Sequence, residues 1–397
     1  MKSDNSSRKI AGIHFLNFAA RGLALPFVNL YLVSVGFTGT EIGVVMSISA
    51  LVQLLLTPTL HTLADRNRRH RLLFYGLVFG TSISSWGLIS SINRLWLSGM
   101  VVLRESADKP GVSLLSQLTI SWLETHGQDI YGRLRAWGSL GWAVTTMISG
   151  RIFAAGGYPL LFILSGLLNL ATLPFLNTLP EHTTGQSEPR HPTGKRSSGF
   201  NLLLLSLFLY FVGMSGFTAF IFVYLQQDLG ANTEMIGMAA AVAALAEIPP
   251  MILIDVLLRR FSVRTTMILG TLGMAASWLS FAIITSAVYI IPLMIIRGTV
   301  YTLHTVSMPL LVSRISHPSN AATNQAIAQV TVPGLAILLT GPISGWIFDQ
   351  AGGRVLFTIS MLMAVLSASI LLAGRRQLRA ADTPLIANPA SDPVNQP

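Results

Sequence analysis

The sequence has no cysteine and very little charge: Asp, Glu, Lys and Arg together supply 11% of its 397 residues. Without cysteine there is no disulfide framework, no thiolate chemistry and no cysteine metal site. A soluble domain of ordinary composition carries about 25% charged residues, so a fully solvated surface is excluded as well. Also missing are the Walker loop, the GxGxxG fingerprint and paired histidines at HxxxH metal spacing. No catalytic constellation stands out. An enzyme is therefore the least favoured class, and no cofactor or metal is expected.

What the chain has instead is apolar length. Hydrophobic residues make up 51% of it, and its mean hydropathy is +0.61. A run of about 20 apolar residues crosses a bilayer as a helix. Twelve such runs can be marked, at roughly 10–34, 41–63, 72–92, 95–123, 134–155, 158–178, 201–226, 235–257, 265–286, 288–313, 321–347 and 354–374. The expected fold class is an all-α membrane protein of twelve transmembrane helices in two six-helix halves. Residues 1–179 form the first half, 180–200 a polar cytoplasmic linker, 201–375 the second half and 376–397 a polar tail. The first run, about 24 residues long, exceeds the apolar core of a signal peptide and reads as a span.

The net charge of +10 does not indicate a nucleic-acid surface, because Lys and Arg fall mainly in short loops between spans. Arg66, Arg68, Arg69 and Arg71, then Arg133, Arg190, Lys195 and Arg196, then Arg259, Arg260 and Arg264, and finally Arg314, Arg375, Arg376 and Arg379 occupy one set of loops. The alternate set has only Arg94, Arg151 and Arg354. By the positive-inside rule both termini are cytoplasmic, and a bacterial inner membrane is the expected location. The two halves also repeat one another. FVNLYL (Phe27–Leu32) returns as FIFVYL (Phe220–Leu225), TEIG (Thr40–Gly43) as TEMIG (Thr233–Gly237), and ISGRIFAAGG (Ile148–Gly157) as ISGWIFDQAGG (Ile343–Gly353). Six spans per copy keep the copies parallel, which places a pathway between them near the midplane. Polar intramembrane positions do not repeat: near the same offset Arg135 meets Val330, Gln53 meets Glu247 and Trp142 meets Ile337.

Those unrepeated polar residues are the candidate site. A charge inside a bilayer faces a partner or a wet cavity. Arg135 stands where the fifth span begins, among the small residues Gly138, Ser139 and Gly141 that admit a neighbouring helix. Trp142, two turns on, either stacks on a ring or packs against a facing helix. Within the fourth span Arg104, Glu105, Asp108 and Lys109 form the i,i+4 pairs Arg104–Asp108 and Glu105–Lys109, which read equally as a self-compensated cluster or a charged lining. Glu247 precedes Pro249 and Pro250 in the eighth span and is a candidate proton acceptor. His304, two turns after Arg297, is either a proton relay or a hydrogen-bonded core residue. His14, Asn17 and Arg21 share one helical face and serve either a cavity or interhelical bonding.

Several of these stretches resemble the major facilitator superfamily. LADRNRRHRLL (Leu63–Leu73) is similar to its cytoplasmic loop signature, with Asp65 and Arg66 as the acid–base pair and with His61 and Arg68 in place of its two glycines. GLALPFVNLYL (Gly22–Leu32), YGRLRAWGSLGW (Tyr131–Trp142), LAEIP (Leu245–Pro249) and LHTVSMPLLV (Leu303–Val312) resemble spans of the lactose permease and of its nucleoside and phenylpropionate proton-symporter relatives. The resemblance implies that Arg135 contacts substrate, that Trp142 stacks on it, and that His304 belongs to a proton-coupling region. Three positions depart from the permease pattern: Gln117 replaces the carboxylate that pairs with the arginine, Ser307 the acid after the histidine, and Ala276 the arginine of span 9. A galactoside site is therefore not expected.

The function expected is secondary active transport of a small polar organic solute (a sugar, a nucleoside or an aromatic acid), imported with protons by alternating access. The proton gradient would be its energy source and the lipid bilayer its surroundings, and the chain would act as a monomer. Substrate would meet Arg135, Trp142, Gln117, Arg21 and Asn17; protons would involve Glu247, His304 and Arg297. The rivals are an exporter on the same fold and a non-transporting membrane sensor.

Overall fold

A computed structural model describes residues 2–126, 130–181, 198–317 and 320–378. Most of the expected linker and of the polar tail lies outside the described residues, as do Arg190, Lys195, Arg196, Arg379 and the side chain of Arg259. Described secondary structure is helical throughout. In the first half the helices are α1 (Lys2–Ser34), α2 (Gly39–Asn67), α3 (His70–Ser90), α4 (Arg94–His126) and α5 (Tyr131–Leu170). The second half contains α6 (Ser198–Gln227), α7 (Thr233–Ala246), α8 (Ile248–Arg260), α9 (Val263–Ile283), α10 (Ile290–Ile315), α11 (Ala321–Ala326) and α12 (Val332–Ala373). This half starts at Ser198, three residues before the expected boundary.

Two of the long helices are hairpins. In α5 the backbone leaves the helical region at Gly156 and Gly157, the latter at φ +63°. In α12 it does so at Gly352, φ +80°. Both values are left-handed, where a side chain is strained and glycine is not. Contacts across each turn prove the reversal. Gly141 lies against Phe15 while Asn169 bonds Asn17, although a straight helix would hold 141 and 169 about 40 Å apart. Likewise Ser344 and Leu356 both approach Gly216. The two reversals come from the same repeat, at Gly157 and Gly352.

Nine described stretches are long and apolar enough to cross a membrane, and two of them contain these hairpins. Helix α4 is the remaining pass; its four central charges keep it outside a purely apolar criterion. Passes eight and eleven are interrupted rather than continuous. The former is α7 joined to α8 at Glu247, and the latter enters α12 through a π-helical turn, Ile327–Thr331.

The repeat is visible in atomic detail. Tyr31 donates to the Leu88 carbonyl at 2.8 Å, and Tyr224 donates to the Phe281 carbonyl at 2.9 Å, each pair of partners being 193 positions apart. The halves meet along two equivalent seams, α2 with the first arm of α12 and the first arm of α5 with α7. Backbones nearly touch there: a Cβ on Gly43 would lie 2.1 Å from the Gly341 carbonyl oxygen, and one on Gly237 would lie 2.3 Å from that of Thr146. In lipid, such close packing replaces the hydrophobic drive that water supplies elsewhere.

Candidate functional site

The face carrying the start of α1 is termed the terminal face, and the opposite one the loop face. Between the halves lies a cavity of about 470 Å³, well within the size range of small-molecule sites. Hydrogen bonds between the halves join Asn29 to the Ala219 carbonyl, Gly39 and Thr40 to Asp349, and Ser47 to the Ile337 carbonyl. These lie toward the loop face. The cavity sits beneath them and reaches down to Arg135, one turn from the terminal-face start of α5. The molecule is closed at the loop face, and its cavity extends toward the terminal face.

On the first-half wall, Gly138 and Gly141 let α1 pack directly on α5, with Phe15 and Phe18 filling the space. This puts the Phe18 ring 4.2 Å from the Arg135 guanidinium carbon and 5.2 Å from that of Arg21. A desolvated cation over an aromatic face gains about 2 kcal/mol, so Phe18 orients both arginines. Arg135, Ser139 and Trp142 line the cavity along one stripe of α5. From α4 come Glu105 and Lys109, joined by an ion pair of 3.2 Å.

The opposite wall is built around a broken helix. Pro249 and Pro250 supply no N–H to the carbonyls of Leu245 and Ala246, and the helical hydrogen-bond ladder is interrupted at Glu247, whose backbone stays helical at φ −71° and ψ −27°. Threonines of α10 brace this point: Thr299 donates to the freed Ala246 carbonyl at 3.5 Å, and Thr302 donates at 3.3 Å to the Glu247 carbonyl, which also accepts the Met251 N–H. The break leaves the Glu247 side chain in the cavity beside Arg297 and Tyr301 of α10. Glu247 lies within electrostatic reach of Arg297 and, across the interface, of Arg135. Among the described residues neither arginine has a carboxylate within ion-pair distance. A guanidinium at the bilayer centre costs roughly 3 kcal/mol or more unless it faces a partner or a wet cavity, and both arginines line this cavity.

Not every expected residue reaches the cavity. Of the two ion pairs foreseen in α4, only Glu105–Lys109 forms. Asp108 pairs with Arg21 at 3.1 Å instead, and Arg104 turns inward, fully buried, to donate to Ser85 at 2.8 Å. The four residues face two sides of the helix, and only one pair lines the cavity. Asn17 donates to Asn169 at 3.1 Å and His14 bonds Thr119 at 3.1 Å, so of the two readings for this face interhelical bonding holds for both. Gln117 is half-buried and outside the lining. His304 is enclosed, its Nδ1 on the Thr271 hydroxyl at 3.0 Å and its ring stacked on Tyr210; it too is absent from the lining. Asp65 contacts His70 at the terminal face, and Arg66 is exposed. Arg68, standing where the resembled signature has glycine, adopts the left-handed φ of +53° that ends α2.

Polar residues at the interface that escaped notice in the sequence include Asn29, Ser47 and Asp349. The repeat offered a signal for two of them: Asn29 aligns with Phe222 and Asp349 with Ala154.

Comparison with known proteins agrees with this architecture. The MFS_1 like family model matches residues 7–359. The maltose permease of Geobacillus stearothermophilus is 29% identical over 275 residues, 68% of this chain and 69% of the permease. The probable 3-phenylpropionic acid transporter of Escherichia coli strain K12 is 22% identical over 372 residues, 90% of this chain and 95% of that protein. The crystal structure of a point mutant of the nucleoside transporter NupG superposes with a TM-score of 0.79 at 16% identity, covering 93% of this chain and 99% of NupG; it shows the common fold. A duplicated twelve-pass bundle with a charged cavity between its halves, matched over most of its length by this family, is a membrane transporter and not an enzyme: the chain belongs to the MFS_1 like family of the major facilitator superfamily.

Proposed function

We propose that the chain imports a small organic anion with an aromatic or similarly flat apolar body, together with protons. The observation that supports this is the charge balance of the cavity. Arg135, Lys109 and Arg297 line it with Glu105 and Glu247. Lys109 is neutralised by Glu105, leaving two arginines, one from each half, to share one carboxylate. A substrate carboxylate satisfies that surplus, and guanidinium groups bind carboxylates through two parallel hydrogen bonds. Phe18, Trp142, Phe220, Phe222 and Tyr301 supply ring surface for offset or edge contacts. Glu247 is the proton site in this reading: protonated, it releases both arginines to the substrate; ionised, it competes with it. The similarity to a probable 3-phenylpropionic acid transporter over 90% of the chain supports the substrate class. The positive-inside rule supports a cytoplasmic terminal face, and the cavity then extends inward.

The test is uptake by cells expressing the chain, using labelled aromatic acids, sugars and nucleosides, with and without a protonophore, beside Arg135→Ala. Accumulation of an aromatic acid that collapses with the protonophore and in the variant is expected. Uptake of a neutral sugar or nucleoside that survives Arg135→Ala would overturn the substrate assignment. Efflux from preloaded cells with no uptake would reverse the direction.

A further inference from the structure

The two seams between the halves are built from one repeat, yet they differ in a single carboxylate. In one seam Gly150 of α5 lies against Glu234, in the first turn of α7. In the other, Gly345 of α12 lies against Gly39 and Thr40, in the first turn of α2. Gly150 and Gly345 are 195 positions apart. Four residues beyond each, the first seam has Ala154 and the second has Asp349. Asp349 uses both carboxylate oxygens. Oδ1 accepts the Gly39 N–H at 2.6 Å, while Oδ2 accepts the Thr40 N–H at 2.8 Å and the Thr40 hydroxyl at 2.7 Å.

These donors are ones that a helix cannot satisfy internally. The N-cap of α2 covers only the next two: Thr38 accepts from Glu41 N–H through its hydroxyl and from Ile42 N–H through its carbonyl. The first two N–H groups of α2 are thus capped from the other half of the molecule. An anion there also meets the positive end of the helix dipole. The bonds exist only while the halves are together at the loop face, because Asp349 and Gly39 belong to different halves. Opening that face exchanges all three for water.

We propose that Asp349 is the gate latch of the loop face, a positioning residue that sets how much of the transport cycle the protein spends closed on that side. The latch is one-sided by design of the sequence. Pseudosymmetry gives both seams the same close glycine packing, and Asp349 adds a polar, reversible contact to one. Removing it weakens the closed state without touching any group that lines the cavity.

The natural absence of cysteine makes this directly measurable. A single cysteine at Ala240, which lines the cavity, is exposed to a membrane-impermeant maleimide applied at the loop face. Asp349→Ala removes all three charge-assisted bonds and is expected to raise the labelling rate about tenfold, the factor corresponding to about 1.4 kcal/mol; Asp349→Asn keeps one neutral acceptor oxygen and is expected to raise it less, though by more than twofold. Thr40→Pro removes the N–H and hydroxyl from the opposite half. Proline is tolerated in a first helical turn, so this variant reports on the same latch even if the Asp349 variants fail to reach the membrane. Gln350→Ala, next to the latch on the same exposed turn, should change nothing. Labelling within twofold of the parent in the variants that reach the membrane would overturn the proposal. The readout needs no substrate, so it stands or falls separately from the anion assignment.

Discussion

At the scale of single residues, the structure separates two titratable groups that the sequence had joined. Glu247 faces the cavity between two arginines; His304 is sealed between Thr271 and Tyr210. The two should therefore fail differently. Glu247→Gln is expected to abolish gradient-driven accumulation while leaving solute exchange across vesicles, because a permanently neutral side chain never competes with the substrate. His304→Asn should retain accumulation and lose stability, since it forfeits a stacked ring and one buried hydrogen bond, about 1–2 kcal/mol together. Accumulation ratios and exchange rates in proteoliposomes, with a thermal melt in detergent, decide between them. The reverse pattern would put the proton on the histidine.

Among the helices, the break between α7 and α8 matters most. Its cause is local and legible, two consecutive prolines; its consequence is tertiary, the capture of the freed Ala246 carbonyl by Thr299 beside the Thr302 bond to Glu247. Pro249→Ala restores a donor to the Leu245 carbonyl and closes one of the two gaps in the ladder, Pro250 keeping the other. The variant should melt no lower than the parent, yet transport several-fold more slowly, because the added bond stiffens the helix around Glu247. Unchanged initial uptake would show that the break positions nothing. The hairpins at Gly157 and Gly352 follow the same logic. The AAGG and QAGG stretches already separated the expected spans 134–155 from 158–178 and 321–347 from 354–374, and the packing of both arms on one neighbour shows the reversals in three dimensions.

The whole molecule behaves as two copies of one bundle. Tyr31 and Tyr224 tie corresponding helices with the same bond, and both are buried. Tyr31→Phe and Tyr224→Phe should each cost about 1 kcal/mol. As they are in separate halves with no shared partner, their effects should add in the double variant within about 0.5 kcal/mol. Denaturation of the three variants checks this, and a strongly non-additive result would mean that the halves do not unfold independently at these ties.

The amino-acid sequence by itself determined the passes, the duplication and the short roll of charges able to form a site. Apolar length, glycine and proline positions and loop charge act over a few turns of chain and are read directly. Arg135, Trp142, Glu247 and Arg297 were legible because a charge or a lone indole in an apolar run is conspicuous, and the failure of Arg135, Trp142 and Glu247 to repeat marked those three further. What only the tertiary structure decided is which of those residues share a cavity. A helix turns fully in about 3.6 residues and so presents side chains on every side. Spacing along α4 therefore could not say that Glu105 and Lys109 face the cavity while Asp108 goes to Arg21 and Arg104 to Ser85. Nor could it bring Asp349 to the start of α2, 309 positions away in sequence from Thr40. Those outcomes depend on how helices rotate and cross when close glycine contacts lock them together, and that is a property of the assembled bundle.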